Sequence, residues 1–467
     1  MQETVQSQNK MGSTPILRLI LTMSLPAMFS MMVQALYNIV DSYFVAKISD
    51  NALAAVSLAF PVQILLIAFA VGTSVGTGSL ISRRLGEGRK GDAENAAVHG
   101  LLLSLATSLV FAGLSLFALR PFYGVFTDDP EILNMGIQYL EICCIFSFGN
   151  FLQVIIEKIL QATGNMIWPM IIQLIGAVVN IILDPILIFG YFGFPEMGIA
   201  GAAIATVLGQ IIGMIVGFII LLTKEHAVHI SFKGFRLHAQ TIKDIYIVGV
   251  PAIVMQSIGT IMTAGMNFIL ASFSAAAYTV FGLYFKLQSF VFMPIFGLTQ
   301  GLMPIMGYNY GARNKKRMMK TLKYGTVIAV IINALGTVLF LLIPGQLLRI
   351  FTETQSIVDI GIPALRTICI SFIPAAISIA ISTLFQAVGK GMYSLVNSLT
   401  RQLAVLLPVA FALLFIGLDA LWFAFPIAEA VSLALTFFFL FRFRKRDKIF
   451  NSAEHAPVST EPIAGES

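Results

Sequence analysis

Long apolar runs, each closed by a few polar residues, set the rhythm of the chain. A helix that crosses a bilayer needs roughly 17–25 mostly apolar residues, and by that measure the pattern predicts twelve spans. Their expected bounds are 16–45, 52–82, 93–119, 131–160, 166–190 and 198–222, then 243–272, 277–308, 319–345, 356–386, 391–415 and 419–441. The two sets are separated by the polar stretch TKEHAVHISFKGFRLHAQTI.

The connections between runs alternate in charge. One side carries Arg83, Arg84, Arg89 and Lys90, then Lys224, Lys233, Arg236 and Lys243. Arg313, Lys315, Lys316, Arg317, Lys320 and the tail RFRKRDK from Arg442 fall on the same side. The other side shows only Lys47, Arg120 and Arg349, beside acids such as Asp128 and Asp129. The positive-inside rule places the first side, and both termini with it, in the cytoplasm. An even number of spans requires the same result.

Composition excludes a soluble domain. Hydrophobic residues make up 57% of the chain and charged residues 11%, with a mean hydropathy of +0.88. A soluble surface draws on about 25% charged residues. The formal charge of +6 resides in the loops as a topology signal, so no nucleic acid is expected as a partner. The first sixteen residues are polar and no cleavable signal is evident. Cys143, Cys144 and Cys369 lie inside apolar runs and suggest no disulfide framework. The expectation is an all-α polytopic protein of the inner (plasma) membrane, acting as a monomer.

The chain also repeats itself. Pro26-Ala27 recurs as Pro251-Ala252, a shift of 225 residues. At the same shift Gly86 meets Gly311, Gly100 meets Gly325, Phe126-Thr127 meets Phe351-Thr352, and Gly136-Ile137 meets Gly361-Ile362. Gln161-Ala162-x-Gly164 likewise meets Gln386-Ala387-x-Gly389. Six spans per copy make the repeats parallel, related by an axis along the membrane normal, with a central cavity between two bundles that rock against one another. The expected division is a tail 1–15, a first lobe 16–222, a linker 223–242, a second lobe 243–441 and a tail 442–467.

Within the fifth run, VVNIILDPIL places an acid where translocon-based scales charge roughly 2.5–3.5 kcal/mol. Asn180 and Asp184 share one helical face, and Pro185 leaves the Ile181 carbonyl without its helical donor. Span one, through QALYNIVDSYF, aligns Gln34, Tyr37, Asn38 and Asp41. At about 1.5 Å per residue, Asp41, Asp184 and Thr206 lie roughly 9, 12 and 13 Å below the outer surface. Three polar groups at similar depth can converge on a proton or cation, and intramembrane acids are functional candidates by default.

Paired six-helix halves, LPAMFS opening the first span and VVNIILDPILIFG in the fifth make the chain resemble the multidrug and toxic compound extrusion (MATE) transporters. The run NIILDPILIFG is similar to the MepA-like branch. The resemblance covers residues 15–445 and implies a secondary antiporter exporting amphipathic, often cationic drugs against inward H⁺ or Na⁺, with no other cofactor. In family members coupled through the first lobe, it implies a cation-coupling set that falls on Asp41, Asn180, Asp184 and Thr206. Gln34, Tyr37, Asn38 and Lys286 become candidates for the substrate cavity. Other family members keep acids on spans seven and eight; here those spans hold none, and the repeat mates of Asp41 and Asp184 are Met266 and Val409.

Remaining charges also need partners. Arg401 and Glu429 both fall near mid-membrane, and a structural ion pair is expected. Glu157 and Lys158 at the inner end of span four suit a gate or a snorkelling anchor as well as binding. Gly72-xxx-Gly76 and Gly209-xxx-Gly213-xxx-Gly217 predict close helix contact. Competing classes lack their motifs: no H-E-x-x-H for an intramembrane enzyme, and no G-x-x-x-x-G-K-[ST] for an ATP-driven pump. The alternative is a lipid-linked saccharide flippase of related two-lobe fold, which would use Lys286, Arg366 and Arg401 to line its cavity for a pyrophosphate.

Overall fold

A computed structural model describes residues 10–231 and 235–451. Lys233 and the outer parts of both expected tails lie outside the described residues. Every regular element among the described residues is helical, and eleven helices plus one bent pair are long and apolar enough to cross a membrane. We number the spans α1 (Ile16–Ala46), α2 (Asp50–Gly86), α3 (Lys90–Phe126), α4 (Pro130–Ile145 with Phe148–Ala162), α5 (Ile167–Phe189) and α6 (Gly198–Thr223). The second half continues with α7 (Ala239–Ala271), α8 (Ala275–Gly311), α9 (Lys315–Leu342), α10 (Gln355–Ala387), α11 (Gly391–Leu414) and α12 (Leu418–Arg446). The protein is a multi-pass membrane protein built of two parallel six-span repeats.

The repeat reaches down to the caps. Ser49 accepts from the Ala52 N–H to start α2, and its mate Ser274 accepts from the Ala277 N–H to start α8. Such hydroxyls satisfy donors that a helix start leaves free. Thr127 and its mate Thr352 each accept from the N–H two residues on. Gly164 and its mate Gly389 both take left-handed backbone (φ 89° and 80°) just past a helix end, where glycine avoids a Cβ clash. The span expected at 131–160 is not one straight helix: α4 bends by 45° between Ile145 and Phe148. Its mate α10 carries a 3₁₀ turn at the corresponding Cys369–Ser371.

Inside the first half, small residues allow the close crossings. Gly209 faces the Gly176 carbonyl, Gly213 faces the Gln153 amide, and Gly217 packs on Ile156. Lipid tails supply no hydrophobic drive between helices, so backbone proximity of this kind holds the bundle.

Between the halves, α2 packs along α7 and α1 along α8, and the contact is confined to the end rich in Arg and Lys. A Cβ at Gly72 would collide with Ile253, one at Gly76 with the Ile245 carbonyl, one at Gly297 with Met28, and one at Gly301 with Ser24. Ser24 donates to the Leu298 carbonyl at 3.3 Å, and Ser79 to the Gln386 carbonyl at 2.6 Å. Arg84 pairs with Asp244 at 3.3 Å. Three helical turns span about eleven residues, so the same faces can be followed away from the basic end. Eleven residues from Gly72, Gly76, Ile253, Gly297, Gly301 and Met28 stand Pro61, Leu65, Ala264, Lys286, Phe290 and Ile39, and all six are exposed. The halves are sealed at the basic end and part towards the other, leaving the central cavity as a cleft.

The expected tail at 1–15 is partly structural. Lys10–Ser13 forms a helical turn wedged at the sealed end, with Met11 fully buried. The Met11 carbonyl accepts from Asn309 at 3.1 Å and from Arg317 at 3.2 Å, and Gly12 lies on the Tyr308 ring. Burial pushes the Lys10 ammonium below its ordinary pKa.

Candidate functional site

The first half gathers its polar residues in the half of the bundle away from the basic end. Asp184 sits on α5 five residues before the helix ends at Phe189 and is completely buried, while Asn180 is 3% exposed. One turn apart on α5, the two side chains meet: the Asn180 amide lies 3.3 Å from Asp184 and 3.3 Å from the Thr206 hydroxyl on α6. With its nitrogen turned to Asp184, the amide oxygen accepts from the Thr206 hydroxyl and backbone N–H at 3.3 and 3.2 Å. Both ends of the amide are then satisfied, as burial demands.

Asp41 on α1 completes the cluster. It lies within charge range of Asp184, and its Oδ1 is buried with no hydrogen-bond partner among the described residues. An orphaned carboxylate oxygen beside a second buried acid is the arrangement that a proton or cation would relieve. Among the described residues no group of three or more His, Cys, Asp and Glu gathers as for a metal ion. A sodium ion here would therefore draw on Asn180 and Thr206 oxygens as well as the two acids, whereas a proton needs only the acids.

The four polar residues expected from QALYNIVDSYF divide. Gln34 accepts from the Gln173 amide of α5 at 3.0 Å, and Tyr37 lies within charge range of both Asp41 and Asp184. These two turn into the first half. Asn38 is exposed beside Ile39 on the cleft. Sequence reasoning missed Tyr139, which adjoins Asp41 and accepts from the Gln63 amide at 2.8 Å. Only the fold brings α2 and α4 to that spot.

The charges of the second half do not converge. Lys286 stands on the α8 face that lines the cleft, its ammonium 5.9 Å from the centre of the Phe351 ring. Arg366 is exposed and donates to the Leu341 carbonyl at 3.3 Å. Arg401 donates to Glu429 at 2.8 Å, inside a π-helical stretch of α11, Thr400–Leu406. Of the three cations suggested for a pyrophosphate, one is paired and one is turned onto a backbone carbonyl.

Two six-span bundles around a cleft, with an acid pair buried in one bundle, define an alternating-access membrane transporter. The model of the MatE family matches residues 26–186 and 251–412, and the chain belongs to that family; it is a transporter and not an enzyme. The multidrug export protein MepA of Staphylococcus haemolyticus is 27% identical over 434 residues, 92% of this chain and 94% of that protein. The FAD transporter of Shewanella oneidensis is 26% identical over 419 residues, 89% of this chain and 92% of that protein. A MATE multidrug resistance transporter solved in its outward-facing conformation superposes with a TM-score of 0.88 at 27% identity, covering 95% of this chain and 99% of the other.

Proposed function

We propose that this protein is a secondary active efflux antiporter that exports amphipathic, often cationic compounds in exchange for H⁺ or Na⁺. The relatives support multidrug cargo through MepA, and one relative is an FAD transporter, so anionic cargo stands beside cationic drugs within this fold. The flippase alternative is not favoured, since Lys286, Arg366 and Arg401 are held apart. With both termini cytoplasmic and the two lobes bounded at 16–222 and 243–441, the sealed basic end faces inward and the cleft opens outward. The protein works as a monomer in the plasma membrane.

The observation that carries the reading is the buried Asp184–Asn180–Thr206 chain beside the orphaned Asp41 oxygen. Acids this close titrate as one unit. An ion arriving through the outward cleft neutralises the pair, the first lobe closes around it, and cargo leaves; loss of the ion to the inside resets the site. Asp41, Asn180, Asp184 and Thr206 are the coupling residues, and Asn38 and Lys286 line the cargo path. The test is transport of a fluorescent cation in proteoliposomes under separately imposed pH and sodium gradients. Flux driven by neither gradient, in protein that folds and binds the dye, would refute ion coupling.

A further inference from the structure

A second polar cluster lies between the halves near the sealed end, away from the acid pair. Lys158 on α4 donates to Gln161 at 2.7 Å and, across the seam, to Gln300 on α8 at 3.2 Å. Gln161 donates to the same Gln300 oxygen at 3.2 Å, and Gln300 donates to the Met31 sulfur of α1 at 3.4 Å. The adjacent Glu157 lies within charge range of the ammonium, but its hydrogen bond goes to Gln153 at 3.0 Å. The hydrogen bonds of the Lys158 ammonium thus go to neutral amide oxygens and occupy two of its three donors. Its counter-charge is near but not in hydrogen-bond contact, so the ammonium keeps the capacity to take up a further anionic oxygen. The walls around it are apolar, supplied by Val75, Ala162 and Met303.

Alternating access requires this seam to part when the basic end opens, which places Lys158 and Gln300 on facing walls of the inward cavity. We propose that Lys158, Gln161 and Gln300 form a subsite for an anionic group of the cargo, a carboxylate or a phosphate, taken up when that end opens. The cargo oxygen replaces the Gln300 oxygen on the ammonium, the amide nitrogens donate to its other lone pairs, and Met303 and Val75 cover the apolar body. The same ammonium repels a cationic group, so cationic compounds seat elsewhere in the cleft. The subsite rests on the alternating access proposed above and deepens it by naming a cargo class.

Two xanthene dyes of similar size and opposite charge, fluorescein and rhodamine 6G, test it by fluorescence anisotropy on the full chain in uncharged detergent. Lys158→Gln should weaken fluorescein binding about tenfold or more, the worth of one charge-assisted hydrogen bond, and leave rhodamine 6G within about twofold. Lys158→Arg should keep fluorescein. Should Lys158→Gln fail to give a monodisperse protein, Gln300→Glu puts a carboxylate opposite the ammonium and should abolish fluorescein binding while preserving the fold. Equal weakening of both dyes would make Lys158 a latch between the halves and overturn the subsite. Displacement of fluorescein by added phosphatidylglycerol would assign the anion to a lipid headgroup and overturn the cargo assignment. A parent protein that exports rhodamine 6G yet binds no fluorescein refutes the subsite alone; Lys158-dependent fluorescein binding without driven export refutes only the antiport reading.

Discussion

At the positions 225 residues beyond Asp41, Asn180, Asp184 and Thr206 the second half carries Met266, Val405, Val409 and Val431. Conversely, the mates of Arg401 and Glu429 in the first half are Gly176 and Ile204. The two halves share their caps, left-handed glycines and span breaks, and differ in the polar groups they hold inside the membrane. An α-helical crossing close enough for Gly176 to face the Gly209 carbonyl leaves no room for an arginine. At the corresponding place α11 opens into a π-helical stretch that carries Arg401, as single π turns at functional positions do elsewhere. The cost of polar groups in hydrocarbon explains the asymmetry: each half keeps only those it can pair or use. Asp41 in the first half and Glu429 in the second each keep one buried oxygen without a partner among the described residues, but Glu429 has a cation on its other oxygen, whereas Asp41 stands beside a second acid. The first arrangement suits a site that takes up an ion, the second a site that holds a shape.

Removing the acid from the first half is the severest test of that difference. Asp184→Asn should abolish gradient-driven export in proteoliposomes, while folded yield stays at the parent level because loss of a membrane carboxylate removes an insertion penalty. Full export by this variant would transfer coupling to another part of the molecule. Moving the acid to its mate, in the double variant Asp184→Asn with Val409→Asp, should leave export absent, since Met266, Val405 and Val431 offer the new carboxylate no amide or hydroxyl. Recovery of flux would mean that the halves are interchangeable.

The paired charges of the second half should answer differently. Arg401→Ala or Glu429→Ala should each destabilise the protein in detergent by about 3 kcal/mol, because the survivor is left in the bilayer without its partner. The double change should recover part of that loss in thermal melts. Strictly additive losses would show that the pair contributes nothing as a pair. The smallest effect is expected at the seam: Arg84→Ala, which removes the Asp244 contact of partly exposed side chains, should cost about 0.5–1 kcal/mol. Its readout is a modest rise in the labelling of a cysteine introduced at the basic end.

Much of this architecture is legible along the chain because a bilayer imposes a simple rule, that each span must be apolar and about as long as the hydrocarbon is thick. That rule located the twelve spans, and the constant shift of 225 residues exposed the duplication. The pairing of Asn180 with Asp184 follows from spacing on one helix, and the pairing of Arg401 with Glu429 from the cost of leaving either alone. Side chains that meet across helices far apart in sequence could not be found in this way. Tyr139 and Gln63 beside Asp41, Lys158 against Gln300, and Met11 beneath Asn309 and Arg317 carry no local signal that distinguishes them from ordinary span residues. Nor does the chain state which end is sealed. Gly72, Gly76, Gly297 and Gly301 announce close approach, but the same helical faces continue away from the basic end to Pro61, Leu65, Lys286 and Phe290 with no change of pattern that marks where contact stops. Local spacing and transfer free energy determine which segments enter the membrane and which polar groups they must satisfy; the crossing angles between spans, set by packing over the whole bundle, decide which of those groups meet and which end of the cleft is open.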